Sequence, residues 1–497
     1  MWTRWNFDGA DESWPTGPIG GRMVKPLMGL LWLCLLMQQI GLAALPEPVL
    51  AGLKAAKLPA GALGAVVLPV DGGPARLEHQ ADTAFNPAST IKLLSTLAAL
   101  ETLGPTFQWR TAFYTDGQLD GDILRGNLYL RGSGDPKLTY ERVWLLLRDL
   151  RARGVRQVSG ELLLDRSYFR PDADAADGAI DEQAERAYNV APDALLLNFK
   201  ALRFDIAADA KRVSVRIDPP LAGVQAESRM KLVDGDCESW TQGWARPEIV
   251  KHADGRLAIA LQGRFPRHCH GSRYLGLLEP AEFADRLVRG LWTELGGAIV
   301  GGTREAPLPS QARLLVEQYS PPLGELIRDI NKLSNNTMAR GVYLTLGAEY
   351  ARANPAAIPL SSQQSADLAL QAWLNRKGQS YPELVMDNGA GLSRIARISP
   401  RHLAGVLALG HAGPFAPEYA ASLPIVGLDG TMRKRLPNSS LAGSARIKTG
   451  TLDDVKAVAG YVRDSAGRDW VVVGLINHPR AEYGQAALDA LLEWAAR

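Results

Sequence analysis

The sequence predicts an α+β fold: an antiparallel sheet flanked by helices, assembled from both chain ends and interrupted by a large strand-rich insertion. Three observations predict it. Strand-like runs stand near the start (Leu63 to Leu68) and near the end (Val455 to Arg463, Trp470 to Ile476). Helical spacing of apolar residues follows the first run and precedes the last two. Between these parts, from residue 112 to residue 305, short apolar runs separated by turn residues dominate.

Taken in order, the chain begins with an address. Leu27 to Met37 is apolar apart from Gly29, with Lys25 before it and Gly41-Leu42-Ala43 after it. Charge, apolar core and small residues read as a secretory signal peptide over residues 1–43, cleaved near Ala43 or Ala44. Asp8, Asp11 and Glu12 are foreign to such a leader, so Met23 is the expected start of translation. The rival is a membrane anchor, but Gln38 and Gln39 interrupt the stretch well short of the roughly 20 apolar residues a span needs.

The strand from Leu63 ends at the turn Asp71-Gly72-Gly73. After Pro87, Leu93, Leu94, Leu97, Leu100 and Leu103 recur at helical spacing until Gly104-Pro105. The insertion supplies strands over Asn127 to Arg131, Glu161 to Leu164, Arg212 to Ile217 and Leu257 to Gln262, and is read as two subdomains. Helical patterns resume at Leu323 to Leu333 and Ser362 to Lys377. The two last strands turn at Asp464 to Arg468, and Ala481 to Ala496 closes the chain as an amphipathic helix. The catalytic part thus comprises residues 44–111 and 306–497.

Composition excludes little but is useful. With 46% hydrophobic and 22% charged residues and a net charge of +2, the chain is an ordinary globular protein with no electrostatic case for nucleic acid. Of three cysteines, Cys34 lies in the leader, leaving Cys237 and Cys269. An even pair in an oxidising compartment favours a disulfide, worth roughly 3 to 4 kcal/mol for such a loop. The rival is a metal site, since His268 and His270 flank Cys269, but no Cys-x-x-Cys or His-x-x-x-His spacing accompanies it.

Three short motifs carry chemistry. Ser89-Thr90-Ile91-Lys92 stands at a helix start, where positions three apart share a face. A serine becomes a nucleophile when a base takes its proton, and lysine is such a base when burial or a nearby cation lowers its pKa. Ser334-Asn335-Asn336 ends a helical pattern and offers a hydroxyl and amides. Lys448-Thr449-Gly450-Thr451 precedes the terminal hairpin, where an edge strand can pair with an extended peptide. There Lys448 and Thr449 can hold a carboxylate and Gly450 permits close approach. Each motif alone is better read blandly: Ser89 as a helix cap, Ser334–Asn336 as a helix end, Lys448–Thr451 as a turn.

Together and in this order, they form the motif set of the penicillin-recognising serine enzymes. The long interval between Ser89 and Ser334 resembles the class C low-molecular-mass penicillin-binding proteins, the D-alanyl-D-alanine carboxypeptidase/endopeptidase family of the penicillin-binding protein 4 type. Leu128-Tyr129-Leu130-Arg131-Gly132-Ser133-Gly134-Asp135-Pro136, Asp387-Asn388-Gly389-Ala390-Gly391-Leu392-Ser393-Arg394 and Leu423-Pro424-Ile425-Val426-Gly427-Leu428-Asp429-Gly430-Thr431-Met432 look like further segments of that family. Ala390 departs from it, standing where the family usually has Ser; the segment around it is expected beside, not within, the catalytic set.

The resemblance implies a β-lactamase/transpeptidase-like catalytic domain needing no cofactor and no metal. It implies Ser89 as nucleophile, Lys92 as proton acceptor, Ser334 and Lys448 near the leaving amine, and Asn336 on a substrate amide. Thr449 would join Lys448 on the terminal carboxylate, with an oxyanion hole from the N–H groups of Ser89 and Thr451. The expected partners are peptidoglycan peptides and β-lactams, in the periplasm or cell envelope; peripheral membrane contact and oligomeric state stay open. Two rivals remain: a β-lactamase or esterase on the same fold, and a peptidoglycan-binding protein with a vestigial site.

Overall fold

The computed structural model describes residues 45–172, 185–355 and 360–497. The proposed leader, with Cys34 and the cleavage site, lies outside the described residues. Among the described residues, no helix is long and apolar enough to cross a membrane.

Both chain ends build one five-stranded antiparallel sheet. Its strands are β1 (Leu63–Pro69), β2 (Leu77–His79), β3 (Arg446–Leu452), β4 (Val455–Arg463) and β5 (Asp469–Asn477), in the order β3-β4-β5-β1-β2. Side chains alternate between its faces. Val66, Ala457, Ala459, Val471, Val473 and Leu475 join one core; Ala65, Val67, Val458, Val462, Val472 and Ile476 join another. Two helices cover the second face, α1 (Glu47–Ala55) and the C-terminal Gln485–Ala495. They cross closely at Gly52, where a Cβ would lie 2.7 Å from the Ala487 backbone.

The first face carries the helices that matter for chemistry: α2 (Lys92–Leu103), α3 (Leu323–Lys332), α4 (Asn336–Ala353), α5 (Ser362–Arg376) and α6 (Pro400–Ala412). Helix α2 is central. Leu93, Leu94, Leu97 and Leu100 are all buried, so the leucine repeat of the sequence is a core on nearly every side rather than a stripe. Helix α4 carries no amphipathic signal for the same reason. Thr337, Gly341, Thr345 and Gly347 are buried along with its apolar residues, and a Cβ at Gly347 would meet the Ser362 carbonyl oxygen at 1.9 Å.

Among the described residues, the intervening chain forms four further sheets. One takes Thr303–Glu305, Leu162–Asp165, Leu128–Gly132, Arg110–Thr115 and Arg313–Tyr319, so a strand beyond residue 305 belongs to it. A three-stranded sheet joins Val213–Asp218, Leu202–Ala208 and His270–Leu275. Two helices, Tyr140–Ala152 and Pro280–Glu294, pack their apolar sides into this region's own core. Cys237 and Cys269 are bonded to each other, which removes both thiolates from any metal site. The region touches the catalytic helices by polar contacts: Lys137 Nζ donates to Asp329 of α3 at 2.5 Å, Thr337 of α4 donates to the Val190 carbonyl at 3.1 Å, and Tyr168 donates to Glu349 of α4 at 2.7 Å.

Candidate active site

Ser89 sits on a short 3-10 turn, Ala88–Ile91, which leads directly into α2 at Lys92. The turn is held in a costly shape: Ala88 has φ +44°, a left-handed conformation that a non-glycine residue adopts only under constraint. The constraint is visible. Asn86 Oδ1 accepts from the Ala88 N–H at 2.9 Å, Asn86 Nδ2 donates to the Ser393 carbonyl at 2.8 Å, and Asn477 on β5 bonds the Asn86 backbone twice, at 2.7 and 2.9 Å.

Lys92 is fully buried, and its Nζ makes three contacts: Ser89 Oγ at 2.8 Å, Asn336 Oδ1 at 2.7 Å and the Ala390 carbonyl at 2.5 Å. Burial, and then the cation of Lys448, hold its pKa well below the ordinary lysine value. The Asp387–Arg394 segment therefore borders the nucleophile's partner directly, closer than the sequence reading put it. The contact uses a backbone carbonyl, so the Ala390 side chain is immaterial to it. Gly391 is required for the approach: its φ is +71° and a Cβ there would meet the Ala88 carbonyl oxygen at 1.9 Å.

Ser334 lies between α3 and α4 with φ +57°. Asn335 caps α4 by accepting from the Met338 N–H at 3.0 Å, which aims Asn336 at Lys92. Opposite, Lys448 is also fully buried. Its Nζ donates to Ser334 Oγ at 2.8 Å and to the Thr449 carbonyl at 2.8 Å. Burial lowers its pKa to about 7.

Lys448 lies on β3, the sheet's edge strand. The Ile447 N–H donates outward to the Pro424 carbonyl at 2.8 Å, and strand alternation puts the N–H groups of Thr449 and Thr451 on the same outer edge. Gly450 is needed for the protein's own packing: a Cβ would lie 2.7 Å from the Pro87 carbonyl and 3.1 Å from Ala88. That close approach brings β3 against the Ser89 turn. Thr449 Oγ1 donates to Thr431 Oγ1 at 2.7 Å.

The structure thus brings the predicted residues into two hydrogen-bonded groups, Ser89–Lys92–Asn336 and Ser334–Lys448, close enough that the Lys448 cation acts on Lys92, with Thr449, Gly450 and Thr451 following Lys448 along β3. Cys237 and Cys269 belong to the inserted region. The sequence reading missed Asn86, Asn477, the Ala390 carbonyl and Thr431. Asn477 carries no local signal and Asn86 lies just before the Ser89 motif, whereas Ala390 and Thr431 lay inside quoted segments. Asp429 and Gly430 explain the third of those segments. Lys332 at the end of α3 donates to Asp429 at 2.6 Å and to the Leu423 carbonyl at 2.8 Å, so one loop ties α3 to β3.

Residues 49–497 match the D-Ala-D-Ala carboxypeptidase 3 (S13) family. The chain belongs to that family. It is a serine-type D-Ala-D-Ala carboxypeptidase, a hydrolase. Among relatives of this S13 member, D-alanyl-D-alanine carboxypeptidase DacB of Haemophilus influenzae is 26% identical over 436 residues, 85% of this chain and 86% of that protein. A D-alanyl-D-alanine carboxypeptidase of an Actinomadura species is 27% identical over 396 residues, 77% of this chain and 71% of that protein. The solved structure of penicillin binding protein 4 from Haemophilus influenzae has the same fold, with a TM-score of 0.73 at 22% identity over 90% of this chain and 97% of that one.

Proposed function

We propose that Ser89 is the nucleophile and that the protein cleaves the bond between two D-amino acids in peptidoglycan stem peptides or cross-links through an acyl-enzyme. One observation carries this: the amine of Lys92, buried between Ser89 Oγ and two oxygens that can only accept. A neutral amine has two N–H donors and one lone pair. With both donors spent on Asn336 Oδ1 and the Ala390 carbonyl, the lone pair is left for the Ser89 hydroxyl. That is the arrangement of a poised base.

The steps then follow. Ser89 Oγ bonds to the carbonyl carbon while its proton passes to Lys92. The outer-edge N–H of Thr451, with that of Ser89, stabilises the oxyanion. The C–N bond breaks, and the leaving amine takes a proton through Ser334 with Lys448 behind it. Water hydrolyses the ester and frees Ser89. Lys448, Thr449 and Thr451 hold the leaving residue's carboxylate, and Asn336 binds an amide of the acyl half. A β-lactam acylates the same serine. The catalytic part is the chain before residue 112 and after the strand Arg313–Tyr319, which pairs within the insertion and so moves the boundary expected at residue 305; the inserted region braces α3 and α4 by the contacts described above. After export, the protein works in the periplasm or cell envelope.

The test is release of D-alanine from a stem peptide ending in D-Ala-D-Ala, followed for the wild type and Asn336→Ala. Release by the wild type and a loss of roughly tenfold to a hundredfold in the variant are expected. A wild type that turns over penicillin rapidly but leaves the peptide intact would favour a β-lactamase instead.

A further inference from the structure

Beside Thr449 and Thr451 the surface sinks into a recess of about 370 Å³ that the acylation chemistry does not use. The two threonines line it from β3, Thr431, Lys434 and Arg435 from the loop after Asp429, and Lys456 from β4. Lys456 stands opposite Thr451 in register, with Nζ 3.4 Å from Thr451 Oγ1. Lys434 is exposed. Arg435 Nε donates to Asp489 Oδ1 at 2.5 Å, while its Nη2 is buried without a hydrogen-bond partner. Burial and the neighbouring Arg435 cation lower the pKa of Lys456, and Glu482 opposes that shift. The residues lining the recess thus include three cations, Lys434, Arg435 and Lys456, and no carboxylate.

We propose that this recess is a subsite for the leaving half of the substrate, taking a carboxylate-bearing peptide longer than one amino acid and so favouring cross-links over stem ends. The inference rests on the reading above, in which Thr449 and Thr451 hold the leaving residue's carboxylate. A leaving D-alanine ends there with a methyl group. The leaving residue of a cross-link instead continues through its side chain into a second stem peptide, which bears further carboxylates. That chain must pass the same two threonines, and the space next to them is cationic. A single carboxylate would fill only a small part of it, since a water needs about 10 to 15 Å³ by the same measure. Attraction across such a partly open site weakens as salt screens it.

The experiment measures kcat/KM on two substrates, a D-Ala-D-Ala stem peptide and a D,D-cross-linked stem dimer, for the full-length protein and for Lys434→Ala/Lys456→Gln. A fall of roughly tenfold or more in the ratio of cross-link cleavage to D-alanine release is expected, because charge-assisted contacts are lost on one substrate alone. An unchanged ratio overturns the subsite, whether both rates hold or both fall together. A wild type that releases D-alanine but leaves the dimer intact also overturns it while sparing the proposed function. A wild type that cleaves neither, yet is acylated by benzylpenicillin, sinks the proposed function itself.

Discussion

The catalytic helices and the inserted sheets treat charge in opposite ways. In the insertion, cations meet acids at the surface: Arg229 with Glu248 at 2.6 Å, Arg256 with Asp254 at 2.6 Å, Arg267 with Asp234 at 3.0 Å. Around Ser89, Lys92 and Lys448 are fully buried, and among the described residues neither has a carboxylate within ion-pair distance. Exposed pairs contribute about 0 to 1 kcal/mol each, whereas a buried unpaired cation is costly enough to shed its proton. The difference teaches where the molecule sacrifices stability: at two amines whose lowered pKa is useful to acylation.

Lys92→Met gives the sharpest break. Acylation by benzylpenicillin should fall roughly a thousandfold, since a general base contributes about 10²- to 10⁴-fold. The same variant should be more stable at neutral pH. A lysine depressed in the folded state leaves the unfolded chain holding the extra proton, so the cost to stability grows as pH falls below the unfolded pKa and levels off at its full value once the folded amine itself protonates. Thermal melts and acylation rates measured together check both signs.

Lys448→Gln should change the pH profile as well as the rate. In the free wild-type enzyme, Lys448 loses its charge through about pH 7, giving kcat/KM an alkaline limb there that the variant lacks. Removing that cation relieves Lys92, whose pKa rises, so the acid limb moves to higher pH. An acid limb that stays in place would mean the two amines do not communicate.

Changes in the insertion should leave the chemistry alone. Cys237→Ala/Cys269→Ala opens a loop with a sequence separation of 32, costing about 3 to 4 kcal/mol by denaturant unfolding, with acylation per folded molecule unchanged. Arg256→Ala should shift stability by no more than about 0.5 kcal/mol. A large effect of either change on acylation would dissolve the contrast between the two regions.

Most strands of the central sheet were legible in the sequence because both ends are continuous apolar runs with clear turns, and Val455–Arg463 emerges with the expected bounds; the three-residue strand Leu77–His79 was too short to read. Helix α4 was not, because it is buried on most sides and shows no stripe. The helices Tyr140–Ala152 and Pro280–Glu294 were lost among the short strands around them, although both have a buried apolar side. In the site, the three motifs were legible because each is a few consecutive residues. The support for the Ser89 turn was not, since Asn477 meets Asn86 from the far end of the chain. Gly450 was read as room for substrate, and the close neighbour the structure supplies is Pro87.

The central claim is that Ser89 forms the acyl-enzyme. Intact-protein mass spectrometry with benzylpenicillin, run beside Ser89→Ala, tests it most directly. The account predicts a stable gain of one drug mass in the wild type and none in the variant. An equal adduct on both proteins, or neither adduct nor drug hydrolysis with the wild type, would contradict it.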